Sequence, residues 1–503
     1  MKILNQIILT TLFSMLIGCK GDNETILPPL DTAVNFQYKT TINVGGEGAS
    51  EITAFDKISK KLFTVNVESN EISIHDISDL TAPKKGISIN LNAYGAPNSV
   101  AVFDEKVAIA VENNVKQNPG KVLVFSAVDN SLLNEYTVGA LPDMVAFSPD
   151  GKTIVCANEG EPSDDYTNDP EGSISIIDLE NNIVTTLNFN AFNSQEAALE
   201  NNGFRVFGPN ADLAKDVEPE YVAISEDSKT AWISLQENNG IAKVNLETKN
   251  IENIYPLGFK DYSLANNSID ASDKDAIKEL KNWPVKGMYM PDAIVYVKIN
   301  GSEYIISANE GDARDYEGFS EEVRMEDLVL DETIFPASND YLNPMNLGRL
   351  KTTTTLGDAN NDGKVEELFS YGARSFSIWS ADGNLIYDSG NSIATETLAL
   401  TIDRFNDNDK RSDDKGAEPE SVEILNIGNE RFILFVGLER NDQVLMYDIT
   451  NPTAPQFLQI LSHPGDEAPE GLLIIPAKDS PSGKDLLVVS NEDSGTVTIY
   501  ENN

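Results

Sequence analysis

Apolar and polar positions alternate in short runs along most of the chain, from about residue 36 to the C-terminus. The clearest runs cover residues 172–178 and 495–500, where Ser or Thr alternates with Ile or Val. A period of two is typical of β-strands, because successive side chains point to opposite faces of a sheet. Long helical patterns are scarce, so the sequence predicts an all-β protein.

Two short motifs repeat along these strands. In the first, an acid or amide opens an apolar strand, usually after Pro; in the second, a glutamate closes another apolar strand. The separation within each pair suits two strands and a turn. The first motif stands at Glu51, Asn98, Asp143, Glu220, Asp292, Glu420 and Glu470. The second stands at Glu68, Glu112, Glu159, Glu237, Glu310, Glu439 and Glu492.

Seven repeats of about four strands predict a seven-bladed β-propeller with long loop insertions on one face. The last repeat stops after its third strand, at Tyr500, whereas an unassigned strand, Phe36 to Val44, precedes the first motif. Because a ring must close to hide its edges, we expect the N-terminal strand to complete the seventh blade. The predicted propeller domain is residues 36–503.

The N-terminus predicts export and lipid anchoring. Lys2 is followed by an apolar run from Ile7 to Ile17, and Leu16-Ile17-Gly18-Cys19 has the form of a lipobox. Residues 1–18 are the predicted lipoprotein signal peptide, and 19–35 a lipidated Cys19 with a flexible spacer. An ordinary signal peptide or a short membrane helix is the alternative. Residues 20–24 resemble acidic export signals of Bacteroidetes surface lipoproteins, which implies a lipid-anchored outer-membrane protein at the cell surface.

The net charge of the chain limits the classes of partner that it could bind. The chain carries 37 Lys and Arg against 81 Asp and Glu, a net charge of −44. Such an excess argues against nucleic acid and anionic lipid as partners and favours cations. Cys156 is the only thiol besides Cys19, so no intrachain disulfide is expected if Cys19 is lipidated, and its apolar strand indicates a core position.

Blade geometry predicts that both sets of acids lie on one face. The start of a blade's first strand and the end of its second share a side of the ring, and the insertions at 161–171, 255–290, 312–370 and 389–418 open there too. The alternative is that the acids cap strand ends. The candidate ligand-binding residues are Glu159, Glu220, Asp292, Glu420, Glu439, Glu470 and Glu492.

The insertions carry a family resemblance. Residues 158–166, 309–319, 371–379 and 411–420 resemble the choice-of-anchor I family, and the likeness extends from about residue 36 to the C-terminus. The resemblance implies an exported propeller held to the cell by one of several anchors; some members are fused to phosphoesterase modules or labelled alkaline phosphatase. The 411–420 run alone also resembles the esterase-like phytase group.

Scarce basic residues lie in or beside the acidic motifs. Carboxylates, basic side chains and a metal together suit phosphoryl recognition. The alternative is that each Arg pairs with an acid of the ring. The candidate catalytic residues are Glu310, Asp312, Arg314, Arg374, Arg411 and Lys415.

Residues 358–366 have oxygen donors at alternate positions and Gly363 at a sharp turn, which is typical of calcium loops. An Asx-rich turn is the alternative. Calcium is the expected cofactor, with no organic one. The candidate metal ligands are Asp358, Asn360, Asp362, Lys364 and Glu366.

Two functions remain open from the sequence. The first is a surface propeller that binds a ligand or partner through its acidic, calcium-bearing face. The second is a metal-dependent phosphoester hydrolase, in which Glu159, Glu310, Asp312 and Glu420 would hold cations and the arginines phosphate.

Overall fold

The computed structural model describes residues 33–503. The predicted signal peptide, Cys19 and nearly all of the predicted spacer lie outside this range, so the predictions made for them stay predictions. Of the described residues, about nine in ten are strand, turn or irregular, which confirms the all-β fold class. No helix within 33–503 is long and apolar enough to cross a membrane.

Seven antiparallel sheets of four-strand order follow one another along the chain, consistent with seven blades. Blade 1 consists of Thr53–Asp56, Lys61–Asn66, Glu71–Asp76 and Lys84–Lys85 with Ile89–Asn90. Blade 2 consists of Pro97–Phe103, Lys106–Val111, Pro119–Ser126 and Leu132–Ala140. Blade 3 consists of Pro142–Phe147, Thr153–Asn158, Ser173–Asp178 and Ile183–Asn188. Blade 4 consists of Pro219–Ile224, Thr230–Leu235, Gly240–Asn245 and Asn250–Pro256. Blade 5 consists of Ile294–Ile299, Ser302–Asn309, Ser375–Ser380 and Leu385–Asp388. Blade 6 consists of Pro419–Ile427, Arg431–Leu438, Gln443–Asp448 and Gln456–Leu461.

Blade 7 joins the two ends of the described chain. Its strands are Pro469–Ile475, Leu486–Asn491, Thr496–Asn502 and, outermost, Phe36–Asn43. Phe36 lies opposite Asn502 in antiparallel register, which confirms the predicted closure by the N-terminal strand. The first strand of each blade contacts that of the next, and blade 7 contacts blade 1, so the first strands surround a common axis.

The core is divided among the blade interfaces. A separate apolar cluster lies between each pair of neighbouring blades, as with Val65 and Val100 between blades 1 and 2. Each buried aliphatic side chain contributes about 1.5–3 kcal/mol, so the ring is held by side chains rather than disulfides. Cys156 is fully buried between blades 2 and 3, and this burial raises the pKa of its thiol.

The insertions form a second layer that the sequence did not predict. Segments from the blade 4–5 connection and from within blade 5 combine into a five-stranded sheet with its own apolar cluster. The strands, in sheet order, are Phe259–Asp261, Lys286–Met288, Phe369–Ser370, Lys351–Thr353 and Glu322–Arg324; Asp315–Tyr316 and Phe319–Ser320 form a small hairpin beside them in sequence.

Helical segments are short and lie in the connections. The α-helices are Glu196–Glu200, Leu213–Asp216 and Ser392–Leu400. The 3-10 turns are Asn190–Gln195, Ala265–Asn267, Met325–Asp327, Ala337–Asn339, Ile402–Arg404 and Glu439–Asn441.

Candidate functional site

The first strands enclose a cavity of about 660 Å³, which we call the axial cavity. Its wall combines apolar side chains of these strands with carboxylates from both repeated motifs. The acids that line it are Asp143, Glu159, Glu220, Asp292, Glu310, Glu420, Glu423 and Glu470. The structure thus brings most of the predicted ligand-binding acids to one place.

The backbone at the first motif is shaped to present its acid. In blades 3, 4, 6 and 7 the strand register shifts directly after the motif's Pro, so the acid sits in a β-bulge. A bulge leaves a residue outside the ladder and redirects its side chain. The repeated Pro-acid sequence is therefore the local cause of the acidic cavity wall.

The backbone is strained before the motif's Pro in four blades, of which blades 3, 6 and 7 also carry the bulge. The residue before the motif's Pro has a positive φ at Leu141, Met290, Glu418 and Ala468, with values of 45°, 46°, 50° and 55°. Non-glycine residues in this region cost about 1–3 kcal/mol each and cluster at functional sites. The fold therefore maintains an unfavourable backbone in order to place the acids.

Burial makes these carboxyl groups hard to ionise. It raises the pKa of Asp143 and Glu237 to about 7 and, with the charge of Glu418, that of Glu439 to about 8. Burial and then neighbouring negative charge raise the pKa of Glu159 and Glu220 well above the usual value. The same holds for Asp292, Glu420 and Glu470. Near neutral pH some of these carboxyl groups are therefore protonated, while others carry a negative charge that no cation neutralises.

One group of acids lacks cationic partners. Within residues 33–503, none of Asp143, Glu159, Glu220 and Glu237 forms an ion pair; we call these four the unpaired acids. Glu220 and Glu237 are only 8% and 6% exposed, and the Oε2 atom of each is buried without a donor from another residue. The two carboxyl groups are close enough for a hydrogen bond to each other, which lowers the pKa of Glu237 against the larger effect of burial. A buried polar atom without a partner costs about 1–3 kcal/mol, so a proton or a cation held close to these carboxyl groups would stabilise them.

A second group is neutralised by the protein itself. Glu310, Glu418 and Glu439, which we call the paired acids, have oxygens within 4.8 Å of one another. Lys415 Nζ lies 2.6 Å from Glu310 Oε1 and 3.4 Å from Asp312 Oδ1. Three cations surround the fully buried Glu418: Arg411 at 2.7 Å, Arg440 at 3.2 Å and Lys415 at 3.6 Å.

The remaining predicted arginines bind within the protein. Arg314 is 2% exposed; its Nη1 lies 2.7 Å from Asp216 Oδ1, and its Nη2 3.0 Å from Glu218 Oε1. Arg374 donates from Nη1 to the Asp270 carbonyl and from Nη2 to two carbonyls of the 412–414 turn. The structure therefore gathers Glu310, Asp312, Arg411 and Lys415 but places Arg314 and Arg374 in separate buried networks.

Some residues at the site escaped the sequence analysis. Glu423 follows Glu420 by three positions and also lines the axial cavity, because the bulge shifts the strand's alternation. Burial raises its pKa to about 7. Glu218 and Arg440 were missed as well. Glu218 lies just before the Pro219-Glu220 motif and Arg440 directly follows Glu439, so this closeness to a repeated motif was the signal that could have identified them.

The 358–366 segment forms a tight loop. Asp358 accepts hydrogen bonds from the backbone N–H groups of Asp362 and Gly363, at 3.1 and 2.8 Å. Glu366 accepts from Asn360 Nδ2 at 2.6 Å. Oxygens of Asp358, Asp362 and Glu366 lie within 4.8 Å of one another, so this donor set fits a hard cation such as Ca²⁺. The Lys364 N–H donates to Asp362 Oδ1 at 3.0 Å.

A comparison with a solved structure agrees with the architecture. Hydrazine synthase of Kuenenia stuttgartiensis superposes with a TM-score of 0.50 at 13% identity, covering 92% of this chain and 97% of that one. At this identity the likeness shows the fold alone. A β-propeller domain of Cps50 (Swd1) from Myceliophteria thermophila gives a TM-score of 0.45 at 9% identity, covering 93% and 100% of the two chains.

Sequence comparisons identify the family. A region of 184 residues is 34% identical to gigasin-3a of Magallana gigas, covering 31% of this chain and 64% of that protein, so the chain spans less than two thirds of its relative. The phytase-like resemblance stays a prediction. The model of the choice-of-anchor I domain matches residues 51–452. The chain therefore belongs to the choice-of-anchor I family.

Proposed function

We propose that this protein is a surface-associated propeller that binds a cationic ligand in its acidic axial cavity. The observation that carries the proposal is the buried Oε2 atom of Glu220 and that of Glu420, two acids that line the cavity, because neither oxygen has a donor within the protein. Buried acids of like charge repel unless they hold protons or a cation. A cation in the cavity would relieve both the repulsion and the missing contacts.

The proposed location follows from the family and the N-terminus. Family members are held at the cell by varied anchors, and the lipobox at Cys19 would supply one here. An acyl tether leaves the propeller free to face its surroundings. We propose an outer-membrane lipoprotein with the acidic face open to ligands.

The hydrolase hypothesis has less support from the geometry. Phosphate recognition needs Arg donors that point into the site, whereas Arg314 and Arg374 donate to buried protein groups. Arg411 and Lys415 remain beside Glu310 but are paired with acids. Turnover of phosphomonoesters or phytate with Ca²⁺, lost in both Glu310→Gln and Arg411→Ala, would restore this hypothesis; we expect no turnover.

Cation binding is tested by calorimetric titration of the full-length protein in detergent. The probes are CaCl₂, MnCl₂ and spermine, and every protein carries Asp358→Asn so that the 358–366 loop does not contribute. We expect at least one probe to bind and the double variant Glu220→Gln/Glu470→Gln to weaken it by about tenfold or more. Glu430→Gln, an exposed acid at the other end of the blade 6 hairpin, is the matched control. Equal binding by the double variant and the control would refute the proposal.

We also propose that residues 358–366 bind calcium and thereby order the insertion. Val365 adjoins the insertion's apolar cluster and forms a bridge with Leu330, so the loop is tied to that layer. A ligand at about 100 times its dissociation constant stabilises the state it binds by about 2.7 kcal/mol. Calcium should therefore slow proteolysis of residues 325–366 in the natural protein. It should not do so in Asp358→Asn, whereas exposed Asp327→Asn should behave as the natural protein does; protection of Asp358→Asn would contradict the proposal.

A further inference from the structure

The axial cavity carries acids at more than one depth. Glu220, Asp292, Glu420 and Glu470 stand at the starts of first strands, whereas Glu423 lies three residues further along its strand. At about 3.3 Å per residue this separation is roughly 10 Å along the strand. The cavity therefore offers one level of negative charge at its mouth and another below it.

Apolar side chains form the rest of the wall. Val100, Met144 and Leu472 come from the middle of the first strands, and Phe103 and Phe147 from the ends opposite the mouth. Strongly hydrated ions gain nothing from such a surface, whereas alkyl chains lose unfavourable contact with water there. The wall therefore suits a ligand that combines charge with methylene groups.

The mouth acids do not converge on a point. Within residues 33–503, the carboxylate groups close enough to chelate one ion are Glu310/Glu418/Glu439 and Asp358/Asp362/Glu366. Neither group includes Glu220, Asp292 or Glu470, and the first is already occupied by three basic side chains. A bare divalent ion needs six or more oxygens around one centre, so the charge here is distributed for an extended cation.

The protein itself places an alkylammonium at this mouth. The Lys415 ammonium reaches Glu310 at 2.6 Å, and its side chain is only 12% exposed. Glu220 and Glu420, which line the same cavity, have no such group, although each has a buried Oε2 atom without a donor in the protein. An ammonium supplied by a ligand would make the contacts there that Lys415 makes at Glu310.

We propose that the axial cavity binds a linear alkyl polyamine, with one ammonium among Glu220, Asp292 and Glu420 at the mouth and a second at Glu423. The methylenes between the two lie against the apolar wall. A cavity of about 660 Å³ is within the usual range for small-molecule sites. This inference rests on the proposed cation-binding function and names the class of cation.

The test is calorimetric titration of the full-length protein, in detergent at physiological ionic strength, with spermine, butylamine, CaCl₂ and MnCl₂. All proteins carry Asp358→Asn. We expect one spermine per chain, bound at least about tenfold more tightly than butylamine, because a single ammonium cannot reach both levels. Glu423→Gln should weaken spermine about tenfold or more while leaving butylamine unchanged. Glu220→Gln should weaken both amines, and Glu430→Gln neither.

The results of these titrations separate the two-level polyamine site from the alternatives. Unchanged spermine affinity in Glu423→Gln, with a near-UV circular dichroism spectrum like that of the natural protein, overturns the two-level site. Several weak spermine sites that persist in Glu220→Gln overturn it as well, since they report only the overall charge of −44. Binding of Ca²⁺ or Mn²⁺ at Glu220 without spermine binding overturns the polyamine inference but leaves the proposed function standing. If no probe binds, both fail.

Discussion

Apart from Glu418, the paired and the unpaired acids belong to the same two repeated motifs but have different surroundings. Glu310 and Glu439, among the paired acids, close second strands as Glu159 and Glu237 do among the unpaired ones. The paired acids are neutralised by Lys415, Arg411 and Arg440. No ion pair reaches the unpaired acids within residues 33–503.

This difference separates structural from ligand-directed acids. Where a loop contributes basic residues, as the 411–415 turn does, the carboxylates hold that loop in place. Where no loop does so, a carboxyl group such as that of Glu220 has a buried oxygen that no donor from the protein satisfies. Burial raises the pKa in both groups, as in Glu220 and Glu439, so the difference between them lies in their partners. The repeat alone would suggest a symmetric ring; the insertions make it asymmetric, and the asymmetry indicates where a ligand would bind.

The largest expected effect is the dependence of stability on pH. The pKa is raised to about 7 in Asp143 and Glu237 and to about 8 in Glu51 and Glu439. A raised folded-state pKa means that the folded protein binds more protons than the unfolded chain between about pH 4.5 and pH 8. Stability is therefore full below the unfolded value and is lost as the pH rises through the folded one.

Urea unfolding from about pH 5 to about pH 8 checks this expectation. The midpoint should fall steadily over that window, by an amount that sums several coupled acids at about 1.4 kcal/mol per unit of pKa shift. A bound cation should recover part of the loss at the upper end only. A midpoint that rises toward neutral pH would show that the cavity acids are stabilising when ionised, which would remove the contrast between the two groups.

Among single substitutions, Glu418→Gln should have the largest effect. It removes the fully buried carboxylate that Arg411, Arg440 and Lys415 share. Breaking a buried charge pair costs about 3–5 kcal/mol; we expect the lower end of this range, because Arg411 and Arg440 are partly exposed and keep Asp414 and Glu439 as partners. The free energy of unfolding in urea should fall by that amount. A loss below about 1 kcal/mol would mean that the three cations are held adequately by Glu310, Asp414 and Glu439.

The fold was largely predictable because its signal is local and repeated. A Pro-acid pair before an apolar strand marks five of the seven first strands, and the missing fourth strand of blade 7 correctly pointed to Phe36–Asn43. The sheet in the insertions was not predictable in the same way. Its strands have only two or three residues, too few to show a period of two.

The site was predictable in position but not in pairing. The place of Asp143 or Glu220 in its strand was enough to put it near the axis. The partners of Arg314 could not be predicted, because Asp216 and Glu218 lie 98 and 96 residues away in sequence and no local pattern links them. Which acids are neutralised depends on loop conformation, so the sequence indicated a ring of acids without showing which part of it is open.

The smallest expected effect is a gain in stability rather than a loss. Glu220→Gln removes a buried charge that no basic residue offsets, and relieving such a group is worth about 1–3 kcal/mol. The variant should therefore be more stable than the natural protein near pH 8 and equal to it near pH 5, where the raised pKa keeps Glu220 protonated. Exposed Glu430→Gln should change stability by less than about 0.5 kcal/mol at either pH. Destabilisation by Glu220→Gln at the higher pH would show that this acid already has a partner, and the open part of the ring would have to lie elsewhere.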